Sequence, residues 1–202
     1  LFTPLNQPQR INFTSSVVWN TGDAAPDHFN VILDNNYDTS ITGAFETVFL
    51  DVNLGNTLTV SSGTTITVDN DITLNGTGSI IVEDGGSIVQ SLDSGTITGT
   101  NFTVKRKTTS LGEWQNYTYW SSPLTSATLG SVVNTNNYYS FNPAEIALPS
   151  NGWEEETSST IMVPGKGYAL TGDPNASYPG INEAVFSGAK LNNGLINIPI
   201  IL

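Results

Sequence analysis

The sequence predicts an all-β protein: a short right-handed parallel β-helix followed by an antiparallel β-sandwich-like module. Three observations lead there. Short runs such as Leu58-Thr59-Val60 and Ile66-Thr67-Val68 alternate apolar with polar residues, the period-2 signature of a sheet with one buried face. The apolar positions of the first half superpose on themselves at an offset of 22 residues. Charged residues make up only 12% of the chain, about half the usual share of roughly 25%. Asn, Thr, Ser and Gly supply the missing polarity, which suits Thr-faced sheets and Asn-Gly turns and deprives long helices of their best formers.

The elements follow in order. Residues 1–30, punctuated by Pro and Asn around one apolar patch at Val17-Val18-Trp19, read as an opening strand or cap. From Val31 the strand-like runs are 31–33, 48–52, 58–60, 66–68, 72–74, 80–82, 88–89, 97 and 102–104. Gly63, Gly76, Gly78, Gly85, Gly86 and Gly95 mark the corners between them. At the offset of 22, Leu50 and Val52 map to Ile72 and Leu74; Leu58 and Val60 map to Ile80 and Val82, and again to Phe102 and Val104; Ile66 maps to Ile88. Three strands per 22 residues, each stacking on its equivalent one coil later, is what a parallel β-helix over residues 31–107 requires, because a single coil cannot bury its inward face alone. The register fails at Val68, matched by Gln90, and at Ile97, so the repeat is short. An antiparallel sandwich with evenly spaced strands is the competing reading.

After Lys105-Arg106-Lys107-Thr108 aromatics and prolines become denser. Strands are expected at 117–120, 137–141, 161–163, 167–170, 184–186 and 195–201, separated by Ser122-Pro123, Asn142-Pro143, Pro164-Gly165, Asp173-Pro174 and Pro179-Gly180. Asn193-Gly194 signals a tight hairpin. Residues 108–202 thus read as an antiparallel module. The chain stops in the apolar run Ile196-Asn197-Ile198-Pro199-Ile200-Ile201-Leu202. Because an open apolar edge invites pairing, the expectation is a parent polypeptide that continues and a second module cut short at its C-terminus.

Charge excludes whole classes of function. Six Lys and Arg against 18 Asp and Glu give a net charge of −12. Nucleic-acid binding needs a basic stripe, and an acidic face is repelled by anionic lipid. No run approaches the roughly 20 apolar residues of a membrane span. The absence of cysteine removes disulfides and thiolate metal sites. The opening Leu1-Phe2-Thr3-Pro4 lacks the charged-then-apolar order of a signal peptide and reads as the start of a processed piece.

Candidate chemistry is sparse. A Ser nucleophile needs a base, and the single histidine, His28, sits beside a turn in Ala25-Pro26-Asp27-His28-Phe29. Asp69 and Asp71 share one side of a strand but stand at a corner where solvent keeps both ionised, unlike a glycosidase pair. Lys105, Arg106 and Lys107, the one basic cluster, lie at the far end of the repeat. Gly165-Lys166-Gly167 lacks the spacing of a phosphate loop, and Glu154-Glu155-Glu156 reads as a solvated loop. Calcium is the metal candidate: Asp34, Asn36 and Asp38 place oxygens at alternate positions, as calcium loops do, although Asn and Asp also favour turns on their own account. The binding candidates are aromatic. Trp114, Tyr117, Tyr119 and Trp120 crowd one segment and Tyr138 and Tyr139 another, and such rings stack on sugars or anchor protein interfaces. Alternation along the strand should expose one of Tyr119 and Trp120 and bury the other. The ligand-binding candidates are therefore Trp114, Tyr119 and Tyr139.

Several segments resemble modules of large surface proteins of Bacteroidetes, including gliding-motility adhesins and other cargo of the type IX secretion system. In the first half these are Asn30-Val31-Ile32-Leu33-Asp34-Asn35-Asn36-Tyr37-Asp38-Thr39, 58–68 and Gly85-Gly86-Ser87-Ile88-Val89-Gln90. In the second they are Phe102-Thr103-Val104-Lys105-Arg106, Trp120-Ser121-Ser122-Pro123, Tyr138-Tyr139-Ser140-Phe141, Gly165-Lys166-Gly167-Tyr168 and Phe186-Ser187-Gly188, in the order those proteins use. The resemblance spans roughly residues 17–200 and implies export, an extracellular cell-surface location and an adhesive or spacer role, with no catalytic residues to carry over. The sequence-based expectation is a non-catalytic structural or adhesion segment of a larger secreted protein. It would meet surface polysaccharide or a partner protein, within its own polypeptide or an extracellular assembly, with no cofactor other than calcium. The alternative is a carbohydrate-binding or carbohydrate-active β-helix protein of the lyase or hydrolase kind.

Overall fold

The computed structural model describes residues 11–12, 30–146, 149 and 151–198. It divides into two compact units, one ending at Asn101 and the other beginning at Phe102.

The first unit is a parallel β-solenoid. Its strands are β1 (Ile11–Asn12), β2 (Asn30–Leu33), β3 (Tyr37–Asp38), β4 (Glu46–Thr47), β5 (Phe49–Val52), β6 (Thr57–Val60), β7 (Thr65–Val68), β8 (Ile72–Leu74), β9 (Ser79–Val82), β10 (Ser87–Gln90) and β11 (Ile97–Thr98). A one-turn helix α1 (Thr39–Thr42) interrupts the first coil between β3 and β4. Within this unit the strands form three parallel ladders: β1-β2-β5-β8-β11, β3-β6-β9 and β4-β7-β10. The antiparallel alternative is thereby excluded for this half.

The offset of 22 is a real register. Leu50 pairs with Ile72 and Val52 with Leu74, Leu58 with Ile80 and Val60 with Val82, and Ile66 with Ile88. These residues alternate inward, and Leu50, Val52, Leu58, Val60, Ile66, Ile72 and Ile80 are wholly buried. Side chains one coil apart sit roughly 4.8 Å from each other, so each column is a continuous aliphatic stack. Both apparent failures of the repeat lie inside the ladders. Gln90 does pair with Val68, and its Nε2 donates to the Asn70 carbonyl, so a polar side chain ends that column. Ile97 pairs with Ile72 after a longer loop.

The six corner glycines serve in two ways. Gly63, Gly76 and Gly85 have positive φ of 76°, 58° and 77°, which favours a residue without Cβ. At Gly78, Gly86 and Gly95 a Cβ would instead press on a backbone carbonyl one coil below, that of Val52, Val60 and Asn70 respectively. Polar side chains at and beside the corners also bond coil to coil: Asn75 Nδ2 donates to Asn53 Oδ1 at 2.9 Å, and Thr57 and Ser79 hydroxyls meet at 2.9 Å.

The second unit is antiparallel. Strand β12 (Phe102–Lys107) pairs with β17 (Glu183–Ala189). A four-stranded sheet in the order β13-β16-β14-β15 comprises β13 (Tyr117–Trp120), β14 (Tyr138–Phe141), β15 (Trp153–Glu156) and β16 (Tyr168–Thr171). A short helix α2 (Leu129–Val132) adds Leu129 and Val132 to a core that also holds Leu124, Met162, Tyr168, Leu170 and Phe186.

Four expectations change here. The division into compact units falls at 101/102, ahead of the boundary expected after residue 107, and β12 pairs with β17. Glu154-Glu155-Glu156 is edge strand rather than solvated loop. Residues 161–163 contribute only an isolated bridge at Ile161. No strand forms at 195–198 after Asn193-Gly194. Val17-Val18-Trp19 and His28 lie outside the described residues, as does Pro199 to Leu202.

Candidate functional site

The four-stranded sheet presents one face inward and one outward. Trp120 turns in, packing edge-on against Phe186 with ring centres 6.2 Å apart and donating from Nε1 to Thr118 Oγ1 at 2.7 Å. Tyr119, its neighbour, turns out and is 72% exposed, as strand alternation requires.

The outward face follows from the registers. Tyr119, Ala169, Tyr139 and Glu155 face one another across all four strands. Tyr117 stands opposite Thr171 on one side of that row, and Phe141 opposite Trp153 on the other. Tyr117, Tyr119, Tyr139 and Trp153 wall a concave space of about 440 Å³, and the buried methyl of Ala169 is its floor. The smallness of Ala169 makes the hollow; a larger residue in the middle of that row would fill it. The rings are set at angles. Tyr117 and Tyr139 lie 5.9 Å apart at 68°, Phe141 and Trp153 5.3 Å apart at 67°, and Tyr119 and Trp153 6.5 Å apart at 38°. Desolvation first, then the neighbouring Tyr117 and the Glu155 carboxylate, push the Tyr139 phenol above its usual range.

The acidic strand is divided by the same alternation. Glu154 Oε1 accepts from Asn142 Nδ2 at 2.9 Å. Glu156 accepts from Ser140 Oγ at 2.7 Å and from Thr160 Oγ1 at 3.0 Å. Glu155 points the other way, exposed beside Tyr139.

Of the three aromatic candidates, the structure brings Tyr119 and Tyr139 together and leaves Trp114 apart. Trp114 is half-buried in the loop before β13, where its carbonyl accepts the Gly172 N–H at 2.8 Å. Trp153, absent from the sequence-based set, completes the cradle. The signal for it was the alternation Trp153, Glu155 against Glu154, Glu156, hidden by reading the acids as a loop.

Asp34, Asn36 and Asp38 each serve a separate hydrogen bond. Asp34 Oδ1 accepts from Asn53 Nδ2. Asn36 Oδ1 accepts the Thr57 N–H at 2.9 Å. Asp38 Oδ1 caps α1, accepting from the Ser40 N–H at 2.8 Å and hydroxyl at 2.7 Å, and from Ser61 Oγ at 2.8 Å. Those bonds hold its carboxyl below the usual range, with the Ser40 hydroxyl the largest cause. Among the described residues no group of three or more His, Cys, Asp and Glu is placed to hold a metal ion. Asp71 ties one coil to the next, its Oδ1 accepting the Thr96 N–H at 2.7 Å, while Asp69 stands exposed at the same corner.

A family model described as Domain of unknown function (DUF8693) matches residues 11–202. No curated protein and no solved structure matches the chain.

Proposed function

We propose that this chain, which belongs to the DUF8693 family, is a non-catalytic structural and adhesive segment of a larger secreted cell-surface protein. In this reading the solenoid is the spacer and the aromatic cradle of the second unit is the binding face. The observation that carries it is the pairing of two unlike surfaces. The solenoid spends its inward residues on unbroken aliphatic columns, whereas the second unit leaves Tyr117, Tyr119 and Trp153 in solvent. Exposing such rings forgoes burial worth roughly 1.5–3 kcal/mol for a large apolar side chain, and exposed aromatics gathered at one place favour a binding role. The resemblance to gliding-motility adhesins and type IX secretion cargo supports an extracellular setting.

A carbohydrate-active protein is the second reading, favoured by the same rings, since aromatic faces also stack on sugars. Incubating the purified chain with a panel of polysaccharides separates the two. The expected outcome is that no reducing sugar is released from any of them. Sugar release that disappears in Asp69→Ala or Asp71→Ala would establish the enzyme instead.

A further inference from the structure

We propose that the cradle of Tyr117, Tyr119, Tyr139 and Trp153 receives a cationic side chain, an arginine displayed by a partner protein, with Glu155 as its counter-charge. The inference rests on reading the second unit as the binding half of the molecule, and it names the chemistry that half recognises.

Ring geometry is the first ground. A sugar face stacks across rings that lie nearly in one plane. Here the planes of Tyr117 and Tyr139 meet at 68° and those of Tyr119 and Trp153 at 38°, so the rings wall a hollow rather than pave a platform. Aromatic faces carry negative potential, and several around one concavity attract a cation. Arginine suits the space because its planar guanidinium stacks on one ring while its N–H groups reach a carboxylate.

Charge placement is the second ground. Three of the four residues of β15 are consecutive acids, and two are already committed: Glu154 to Asn142, and Glu156 to Ser140 and Thr160. The remaining one, Glu155, is exposed and stands directly across from Tyr139, at the spacing where opposed side chains interact. The chain as a whole carries −12, which draws cationic partners toward it. The same kind of contact already occurs within the unit, where Lys166 Nζ lies 5.4 Å from the centre of the Tyr168 ring.

The test is an NMR titration of the whole chain with N-acetyl-arginine amide, with its neutral isostere N-acetyl-citrulline amide, and with cellohexaose. The arginine probe is expected to shift the ring resonances of Tyr119 and Trp153. The citrulline probe should bind at least about threefold more weakly, and Glu155→Gln should weaken the arginine probe by a similar factor. Tyr119→Ala, at a position 72% exposed, should remove the response without unfolding the protein. Equal binding of the two amides, or an unchanged affinity in Glu155→Gln, overturns the cationic ligand. Cellohexaose shifting these rings where arginine does not overturns it too, while leaving the binding-face reading intact. Silence from every probe overturns both.

Discussion

The corner glycines separate two demands that a single residue type satisfies. Gly63 has φ of 76° with nothing within 4 Å of a built Cβ, so its requirement is conformational. Gly86 meets the Val60 carbonyl at once, so its requirement is spatial. Asn tolerates the left-handed region, and Gly63→Asn should therefore be nearly neutral. Gly86→Asn should cost about 1–3 kcal/mol, because one coil must lift off another. Urea midpoints of the two variants check this; equal losses would mean the corners are not under stacking constraint. Asp38 adds a prediction in pH. Its folded pKa is depressed, so its stabilising contribution is present above the unfolded value of about 3.9 and disappears as pH falls through the lower folded value. Asp38→Ala should cost about 0.5–1 kcal/mol at pH 7. That deficit should shrink below pH 4, which thermal melts at pH 7 and pH 3 would reveal. The three oxygens read as a calcium loop from Asp34, Asn36 and Asp38 are bonded to Asn53, Thr57, and Ser40 with Ser61. Alternating Asn and Asp mark turns and ladder corners as readily as ion sites, and sequence alone does not separate these.

Among elements, the central strand of each ladder should matter most. β6 lies between β3 and β9, and Leu58 is wholly buried with Tyr37 and Ile80 as its column neighbours. Leu58→Ala opens a cavity bounded on both sides and should cost about 2–5 kcal/mol. Ile88 sits in β10, which ends its sheet and leaves it half-buried, so Ile88→Ala should cost less than half as much. Chemical denaturation of both variants tests whether stability follows position along the stack, as nearest-neighbour coupling requires. The same coupling explains which elements could be read in advance. β5 to β10 were legible because Leu50 to Ile72, Leu58 to Ile80 and Ile66 to Ile88 keep one offset. β3 and β4 were not: they are two residues long, α1 interrupts their coil, and their inward residues include Thr47. Thr47 survives burial there because its hydroxyl accepts the Val31 N–H at 3.1 Å and donates to the Phe49 carbonyl at 2.9 Å. β15 was missed for a different reason. Its three consecutive acids signal solvent, yet an edge strand can carry them when alternate carboxylates find hydroxyl and amide donors. With β15 went Trp153, and with Trp153 one wall of the cradle.

For the whole molecule the dominant long-range term is self-repulsion. Six basic residues cannot neutralise 18 acids, so most carboxylates see other carboxylates rather than cations, and a compact state is destabilised by its own field. The Debye length falls from about 30 Å at 0.01 M salt to about 10 Å at 0.1 M, which is enough to uncouple charges on opposite sides of either unit. Added sodium chloride should therefore raise the melting temperature, by about 2–4 °C for each kcal/mol of repulsion relieved. A chain held together by ion pairs would respond the other way. The same screening acts oppositely on an arginine seated against Glu155, since that attraction runs over a short, solvent-exposed distance and weakens as salt rises. Melting temperature and affinity for N-acetyl-arginine amide, measured along one salt series, should thus move in opposite directions. If both rise together, the acidic excess is not what draws the ligand, and recognition at the cradle is apolar rather than cationic.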